Sequence, residues 1–287
     1  MDSSAAYRDG HLLVRDGLRV HYRDYPGSAD RPPILCLHGL TRNARDFAAL
    51  AERYSPDYRV LTLDFRGRGH SDYDPLPARY NPLTYASDVL ELLDELNIDR
   101  AIFVGTSLGG LVMMTLAVTA PQRIAAAILN DVGPELNKTG LDRIQSYVGK
   151  GEEFASWDEA ATAIAANQSA AFPNYGKREW LATAQRHCRE KDGKIVFDYH
   201  PAIAHAFKAV PTPKIDLWPL FSALAQKPLL VIRGERSELL SAETLEKMRT
   251  AAPDARVAVV SATGHPPMLD EPEAVAAIDA FLADLSR

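Results

Sequence analysis

The chain has 287 residues, of which 46% are hydrophobic and 24% charged, an ordinary composition for a folded protein with one sizeable core. Its formal net charge of -6 leaves no basic surplus to neutralise phosphates, so nucleic acid is not an expected partner. No run is apolar and long enough to span a bilayer, and the stretch Met1 to Asp9 lacks the apolar segment of a secretory leader, so a cytoplasmic location without membrane association is expected.

In chain order, residues 11 to 25 alternate, with Leu18, Val20 and Tyr22 on one side and Arg19, His21 and Arg23 on the other, which predicts a half-exposed antiparallel strand pair at a sheet edge. Ile34-Leu35-Cys36-Leu37 reads as a central strand ending at His38-Gly39-Leu40. Thr41-Arg42-Asn43 offers helix caps before a helix over 44–54. Tyr58 to Leu63 is the next strand, followed by the turn-rich Asp64-Phe65-Arg66-Gly67-Arg68-Gly69-His70-Ser71-Asp72 and a helix over 84–96. Arg100 to Val104 is a buried strand and Leu111 to Val118 a buried helix; between them stands Gly105-Thr106-Ser107-Leu108-Gly109-Gly110. Such a Gly-x-Ser-x-Gly turn leaves room only for glycine beside the serine, exposes the Ser107 hydroxyl and aims a helix N-terminus at the same place, as a nucleophile elbow does.

Ile124 to Leu129 is a further strand. From 133 to 221 helical stretches rich in Ala, Glu and Arg are broken by Pro and Gly without alternating strands, and all three tryptophans fall there. This segment is expected to be an inserted, mostly helical cap on a core formed by 1–132 and 222–287. Pro228 to Ile232 resumes the sheet, followed by a helix over 242–250, a strand over 256–260 and a closing helix over 272–285. Alternating strands and helices predict an α/β fold, a mostly parallel, doubly wound sheet covered on both faces, with ligands bound outside the carboxyl ends of its strands. The two cysteines, Cys36 in a strand and Cys188 in a charged helical stretch, suggest neither a disulfide nor a metal site.

A serine nucleophile needs a base, an acid and an oxyanion hole. Among eight histidines, His265 in Thr263-Gly264-His265-Pro266-Pro267-Met268 is the favoured base, because it lies in a turn beyond the last strand. His38 and His70, among glycines, suit loop-holding hydrogen bonds, while His11, His21, His187, His200 and His205 read as exposed edge or cap residues, the last two near enough to a pocket to line it. The backbone N–H groups of Leu40 and Leu108 are the expected oxyanion donors. For the acid, Glu238 after the strand ending at Ile232 is favoured, with Asp131 after Leu129 the alternative and Glu235 a third.

Together, His38-Gly39, Asp64-x-Arg66-Gly67-x-Gly69-x-Ser71, the elbow and Gly264-His265 resemble the α/β-hydrolase superfamily over essentially the whole chain. The resemblance implies Ser107 as nucleophile, His265 as base and an acid after the sixth or seventh strand. The chain departs from the common Gly-x-x-Asp pattern, because Ser237 stands where that aspartate would be, so the acid must be displaced to Glu238 or moved to Asp131. A serine at the elbow argues against the carboxylate-nucleophile chemistry of dehalogenases and epoxide hydrolases.

What remains is acyl transfer to water on a small, partly apolar carboxylic ester or lactone, with no cofactor and no metal. Carbon–carbon bond hydrolysis of diketone ring-cleavage products, a serine perhydrolase and a weakly catalytic small-molecule receptor are the alternatives. Trp157, Trp180 and Trp218 of the cap, with Met268 beside the base, are expected either to form an apolar substrate pocket or to pack the cap onto the sheet. Arg143, Arg178, Arg186 and Arg189 offer positive charge for an anionic substrate, with none singled out.

Overall fold

The computed structural model describes residues 6–208 and 216–285; Met1 to Ala5 and residues 209–215 of the expected insertion lie outside them. The chain opens with β1 (Arg8–Leu13) and β2 (Arg19–Tyr25), which pair antiparallel with Leu12 opposite Val20. The expected alternation fails at His21, which is buried, because the loop after the neighbouring strand at Val60–Leu63 folds over that face and supplies the carboxylate of Asp64 to its ring.

Apolar runs too short for helices then alternate with helical stretches. β3 (Ile34–Leu37) leads through a 3-10 turn at Ala44–Phe47 into α1 (Ala48–Tyr54), and β4 (Val60–Leu63) leads into α2 (Pro82–Glu95). β5 (Ala101–Thr106), α3 (Leu108–Thr119) and β6 (Ile124–Asn130) follow. Every residue of β3, β4 and β5 is buried, as expected of strands covered on both faces.

The segment after β6 carries α4 (Lys138–Tyr147), β7 (Glu153–Phe154), α5 (Trp157–Gln168), α6 (Lys177–His187), β8 (Cys188–Lys191), β9 (Lys194–Phe197) and α7 (Ile203–Lys208). It is less purely helical than its composition suggests, since β7, β9 and β8 form a small antiparallel sheet. Phe154, Ile164, Phe172, Trp180, Cys188 and Ile195 give it a core of its own. Cys188, read as a stray thiol in a helix, starts β8 and is buried. α8 (Trp218–Leu224) straddles the expected domain boundary and buries Phe221 and Leu224 in the main core.

β10 (Leu229–Gly234), α9 (Ala242–Ala251), β11 (Arg256–Val260) and α10 (Pro272–Leu285) complete the chain. The eight strands of the main sheet run in the order β1-β2-β4-β3-β5-β6-β10-β11, parallel from β4 onward. α2, α3, α8 and α9 cover one face, and α1 and α10 the other. Because β4 lies on one side of β3 and β5 on the other, chain direction reverses across the sheet between β3 and β5, which opens a crevice at their carboxyl ends. Among the described residues, no helix is long and apolar enough to cross a membrane.

The turn from β5 into α3 fits that crevice only because Gly105 and Gly109 carry no side chains. A Cβ on Gly109 would overlap the backbone carbonyl of Leu37 at the end of β3, and one on Gly105 would overlap the Met113 sulfur and the Gly109 backbone. Gly109→Ala is therefore expected to lower stability by at least about 2 kcal/mol, because a neighbouring strand and not a flexible side chain must yield. Chemical denaturation checks this, and wild-type stability in the variant would contradict the packing described.

Candidate active site

Ser107 occupies the turn between β5 and α3 with φ 52 and ψ -112, a left-handed backbone conformation that costs a non-glycine residue of order 1–3 kcal/mol. The turn is held from both sides: Ser107 N–H donates to Asn130 O at 3.0 Å, and Gly110 N–H donates back to Ser107 O at 2.9 Å. The serine hydroxyl is thereby presented above the first turn of α3, where helix N–H groups and the helix dipole favour developing negative charge.

Ser107 Oγ lies 3.0 Å from His265 Nε2, and His265 Nδ1 lies 2.8 Å from Asp131 Oδ2. With Nδ1–H donating to the carboxylate, Nε2 is left to accept from the serine hydroxyl. Asp131 follows β6 directly, is fully buried and has φ 57. Its second oxygen accepts from Gly234 N–H at 3.0 Å, so the end of β10 orients the carboxylate.

Glu238, the acid favoured on sequence, is not at this site. Its side chain is 46% exposed and points to Arg143, with Oε2 2.9 Å from Nε. The loop after β10 turns away from the base because Ser237 Oγ accepts from Leu239 and Leu240 N–H, while buried Arg233 donates to Leu240 O. Glu235 is likewise used locally, accepting from Ala262 N–H at 2.7 Å.

The Leu40 and Leu108 N–H groups flank the serine, and neither donates to an acceptor among the described residues. Gly39 lies so close that a Cβ there would come within 3.7 Å of Ser107 Cβ. His38 braces this loop: Nδ1–H donates to Gly39 O at 2.7 Å and Nε2 accepts from Phe65 N–H at 3.0 Å. Burial pushes its pKa down to about 4, which keeps the ring neutral and both bonds intact. Arg68, fully buried, donates from Nε to Leu40 O at 2.9 Å.

Asp64 accepts from Ala44 N–H, His70 N–H and His21 Nδ1. Burial opposes its ionisation, but the His21 hydrogen bond and neighbouring charges win and lower its pKa. The Asp64 to Ser71 motif therefore acts as a brace for the loop carrying Leu40. Asn130, which sequence reading missed, joins the halves of the site, its side-chain amide donating to Thr106 Oγ1 and Pro267 O.

In front of Ser107 and His265 lies a cavity of about 60 Å³ beneath the insertion. Its wall includes Leu40, Arg42, Arg143, Ile144, Tyr147, His187, Phe197 and Tyr199. The tryptophans are elsewhere. Trp180 stacks edge-on against Tyr175 and Phe172, and Trp157 packs on the same cluster. Trp218 packs edge-on against Phe221 and donates to Glu135. Met268 meets the site only indirectly, accepting from Arg42 Nη1 at 3.5 Å.

Of the arginines named on sequence, Arg143 alone reaches the cavity; Arg178 is exposed, and Arg186 and Arg189 are half-buried away from it. His187, expected at the surface, is buried in the wall, because Arg42 and Asp46 from the loop after β3 reach up to its ring. His200 pairs with the Tyr80 hydroxyl, while His11 and His205 are exposed.

A family model for the alpha/beta hydrolase fold matches residues 32–272. The chain is 48% identical to an alpha/beta hydrolase of Novosphingobium aromaticivorans, whose crystal structure matches with a TM-score of 0.93 over 98% of this chain and 99% of that one. It is 32% identical to the 3-hydroxybutyrate-oligomer hydrolase of Cupriavidus necator over 92% of both chains. Esterase YbfF of Escherichia coli is 26% identical over 93% of this chain and 99% of its own. The chain belongs to the α/β-hydrolase fold family. Its curated relatives named here are hydrolases, so hydrolysis is the general activity they support.

Two measurements follow from the geometry. Asp131→Asn is expected to lower turnover of a neutral aryl ester by roughly 10³-fold or more, through loss of the correct imidazole tautomer, while Glu238→Gln stays within about threefold of wild type. The reverse ranking would return the acid to Glu238.

The second concerns His187, whose pKa burial and the Arg42 charge push down to about 4. An unfolded chain protonates histidine near 6.5, so between those values the unfolded state binds more protons and stability falls as pH falls. The loss is up to about 1.4 kcal/mol per pH unit for this group. His21 has the opposite sign. Burial pulls its pKa down, but the bonds to Asp64 and Asp9 outweigh this and raise it, so its contribution is complete below 6.5 and lost only above it. His187→Gln is expected to flatten the acid-side decline by about that slope, read by urea titration from about pH 6.5 to about pH 4.5; an unchanged slope would show that His187 is protonated in the fold.

Proposed function

We propose that the protein is a serine hydrolase that cleaves a carboxylic ester or lactone of a small substrate through an acyl-enzyme on Ser107. The observation that carries this reading is the unbroken line from Asp131 Oδ2 through His265 to Ser107 Oγ, with contacts of 2.8 and 3.0 Å. Ser107 Oγ attacks the substrate carbonyl while His265 Nε2 takes its proton, and Asp131 stabilises the imidazolium that forms. The carbonyl oxygen, negative in the tetrahedral intermediate, is received by the Leu40 and Leu108 N–H groups. His265 then protonates the leaving alcohol, and the same imidazole activates the water that releases the acid.

The cavity supports a short acid portion, since about 60 Å³ is far below the roughly 300–1,000 Å³ of sites that enclose drug-sized ligands. A relative named as a hydrolase of 3-hydroxybutyrate oligomers supports the same choice of a short-chain ester. The chemistry is complete with the chain's own residues, without a metal or cofactor in any step.

Labelling with a fluorophosphonate probe and hydrolysis of 4-nitrophenyl acetate test the proposal. Ser107→Ala is expected to abolish labelling and lower turnover by at least about 10³-fold. Absence of labelling and of turnover above the Ser107→Ala background in the wild-type protein would overturn it.

A further inference from the structure

The cavity wall carries more cationic hydrogen-bond donors than an apolar acyl chain needs. Arg42 and Arg143 line it with Tyr147, alongside Ser107 and His265. Arg42 is buried, and its side-chain hydrogen bonds all leave from Nη1, to Asp46 Oδ2, His187 Nε2 and Met268 Sδ at 3.1, 2.7 and 3.5 Å. The Nε–Nη2 edge donates to no acceptor among the described residues. Arg143 projects from α4 with Nε 2.9 Å from Glu238 Oε2, but out of line, so this buried donor makes no hydrogen bond.

Tyr147 stands one turn further along α4 on the same side. Burial pushes its phenol pKa up, and the charges of Arg42 and Arg143 both pull it down, which places its hydroxyl in the field of both guanidiniums. The nearby carboxylates do not fill the space between these groups. Asp46 lies on the Nη1 side of Arg42, Glu238 is exposed, and Glu152, which lines the cavity, is itself exposed and makes no ion pair with either arginine among the described residues. A buried donor without an acceptor, as Arg143 Nε is, costs free energy unless a ligand supplies one. The unbonded edge of Arg42 is free to donate in the same wall, and a carboxylate matches the guanidinium fork in charge and shape.

Resting on the ester reading above, we propose that the substrate carries a free carboxylate, which Arg42, Arg143 and Tyr147 receive while its ester carbonyl faces Ser107. Arg42 stands two residues after the oxyanion donor Leu40, and Arg143 stands on the first helix of the insertion. A bound carboxylate therefore joins the loop that stabilises the transition state to the segment that covers it, and fixes the distance between charge and scissile carbonyl.

Two matched ester pairs test this. 4-Nitrophenyl butyrate against mono-(4-nitrophenyl) glutarate places the charge on the acid side, and phenyl butyrate against 3-carboxyphenyl butyrate places it on the alcohol side. In at least one pair the anionic ester is expected to show a kcat/KM about 10-fold or more above its neutral partner, chiefly through KM. That ratio is expected to fall towards parity in Arg143→Gln and to be partly retained in Arg143→Lys, which keeps the charge but not the fork. The neutral ester serves as the folding control within each variant. If Arg143→Gln does not fold, Tyr147→Phe, which removes a single oxygen, is expected to lower the same ratio.

Parity in both pairs for the wild-type protein would overturn the carboxylate site and leave the ester reading standing. So would an anionic preference that survives unchanged in Arg143→Gln, or in Tyr147→Phe where that variant replaces it. No turnover of any of the four esters, with no fluorophosphonate labelling of Ser107, would instead overturn the ester reading itself.

Discussion

The approach of one backbone to another at the end of β3 is the constraint on which the rest depends. Gly109, in the first turn of α3, lies against the Leu37 carbonyl with no space for a side chain. That contact draws the β5–α3 turn into the crevice where sheet topology reverses, and so puts Ser107 beside the loop that leaves β3. Gly39, Leu40 and the serine become neighbours because two backbones meet without intervening side chains. The Leu40 and Leu108 N–H groups proposed as oxyanion donors are fixed by the same packing that fixes the hydroxyl, so on that proposal neither needs to reorganise when charge develops.

Holding such a turn requires compensation, since Ser107 and Asp131 both adopt φ above +50 and each such residue costs of order 1–3 kcal/mol. The compensation is shared between them. Ser107 N–H bonds to Asn130 O, and Asp131 N–H bonds to Ile232 O in the neighbouring β10. The Asn130 side chain reaches Pro267 in the loop of the base. One dipeptide, Asn130-Asp131, therefore tethers the elbow, the base loop and the next strand, and the two strained residues support one another through it.

Much of this was legible in the sequence wherever chemistry is local. The elbow, Gly264-His265 and His38-Gly39 mark backbone conformations that few other residues allow, and the closing helix over 272–285 follows from its apolar spacing and falls on those residues. Which carboxylate meets His265 was not legible, because Asp131 and Glu238 each follow a strand and each lies in a turn. The choice depends on which strand adjoins β5, and that is a property of strand order. His21 and His187 were misread for a related reason: each looks like an edge residue until a loop distant in sequence brings Asp64, or Arg42 and Asp46, against its ring. The short strands of the insertion escaped detection because four residues or fewer carry too little periodicity.

The tryptophans show a further limit. Large aromatics in an insertion suggest a pocket, yet an insertion that folds as its own layer needs a core before it can line anything, and Phe154, Phe172 and Trp180 are consumed there. The polar groups that face the cavity come largely from α4 and the loop after β3, beside Phe197 and Tyr199, in residues that resemble the solvated faces of ordinary helices and turns. Their environment separates them from solvated charges: a buried arginine whose bonds all leave from one nitrogen, and a second whose buried Nε has a carboxylate near it but out of line. In a fold whose elbow is common to many hydrolases, discrimination between substrates has to arise from such positions, where sequence pattern is weakest and where burial without a partner reveals what kind of group is missing.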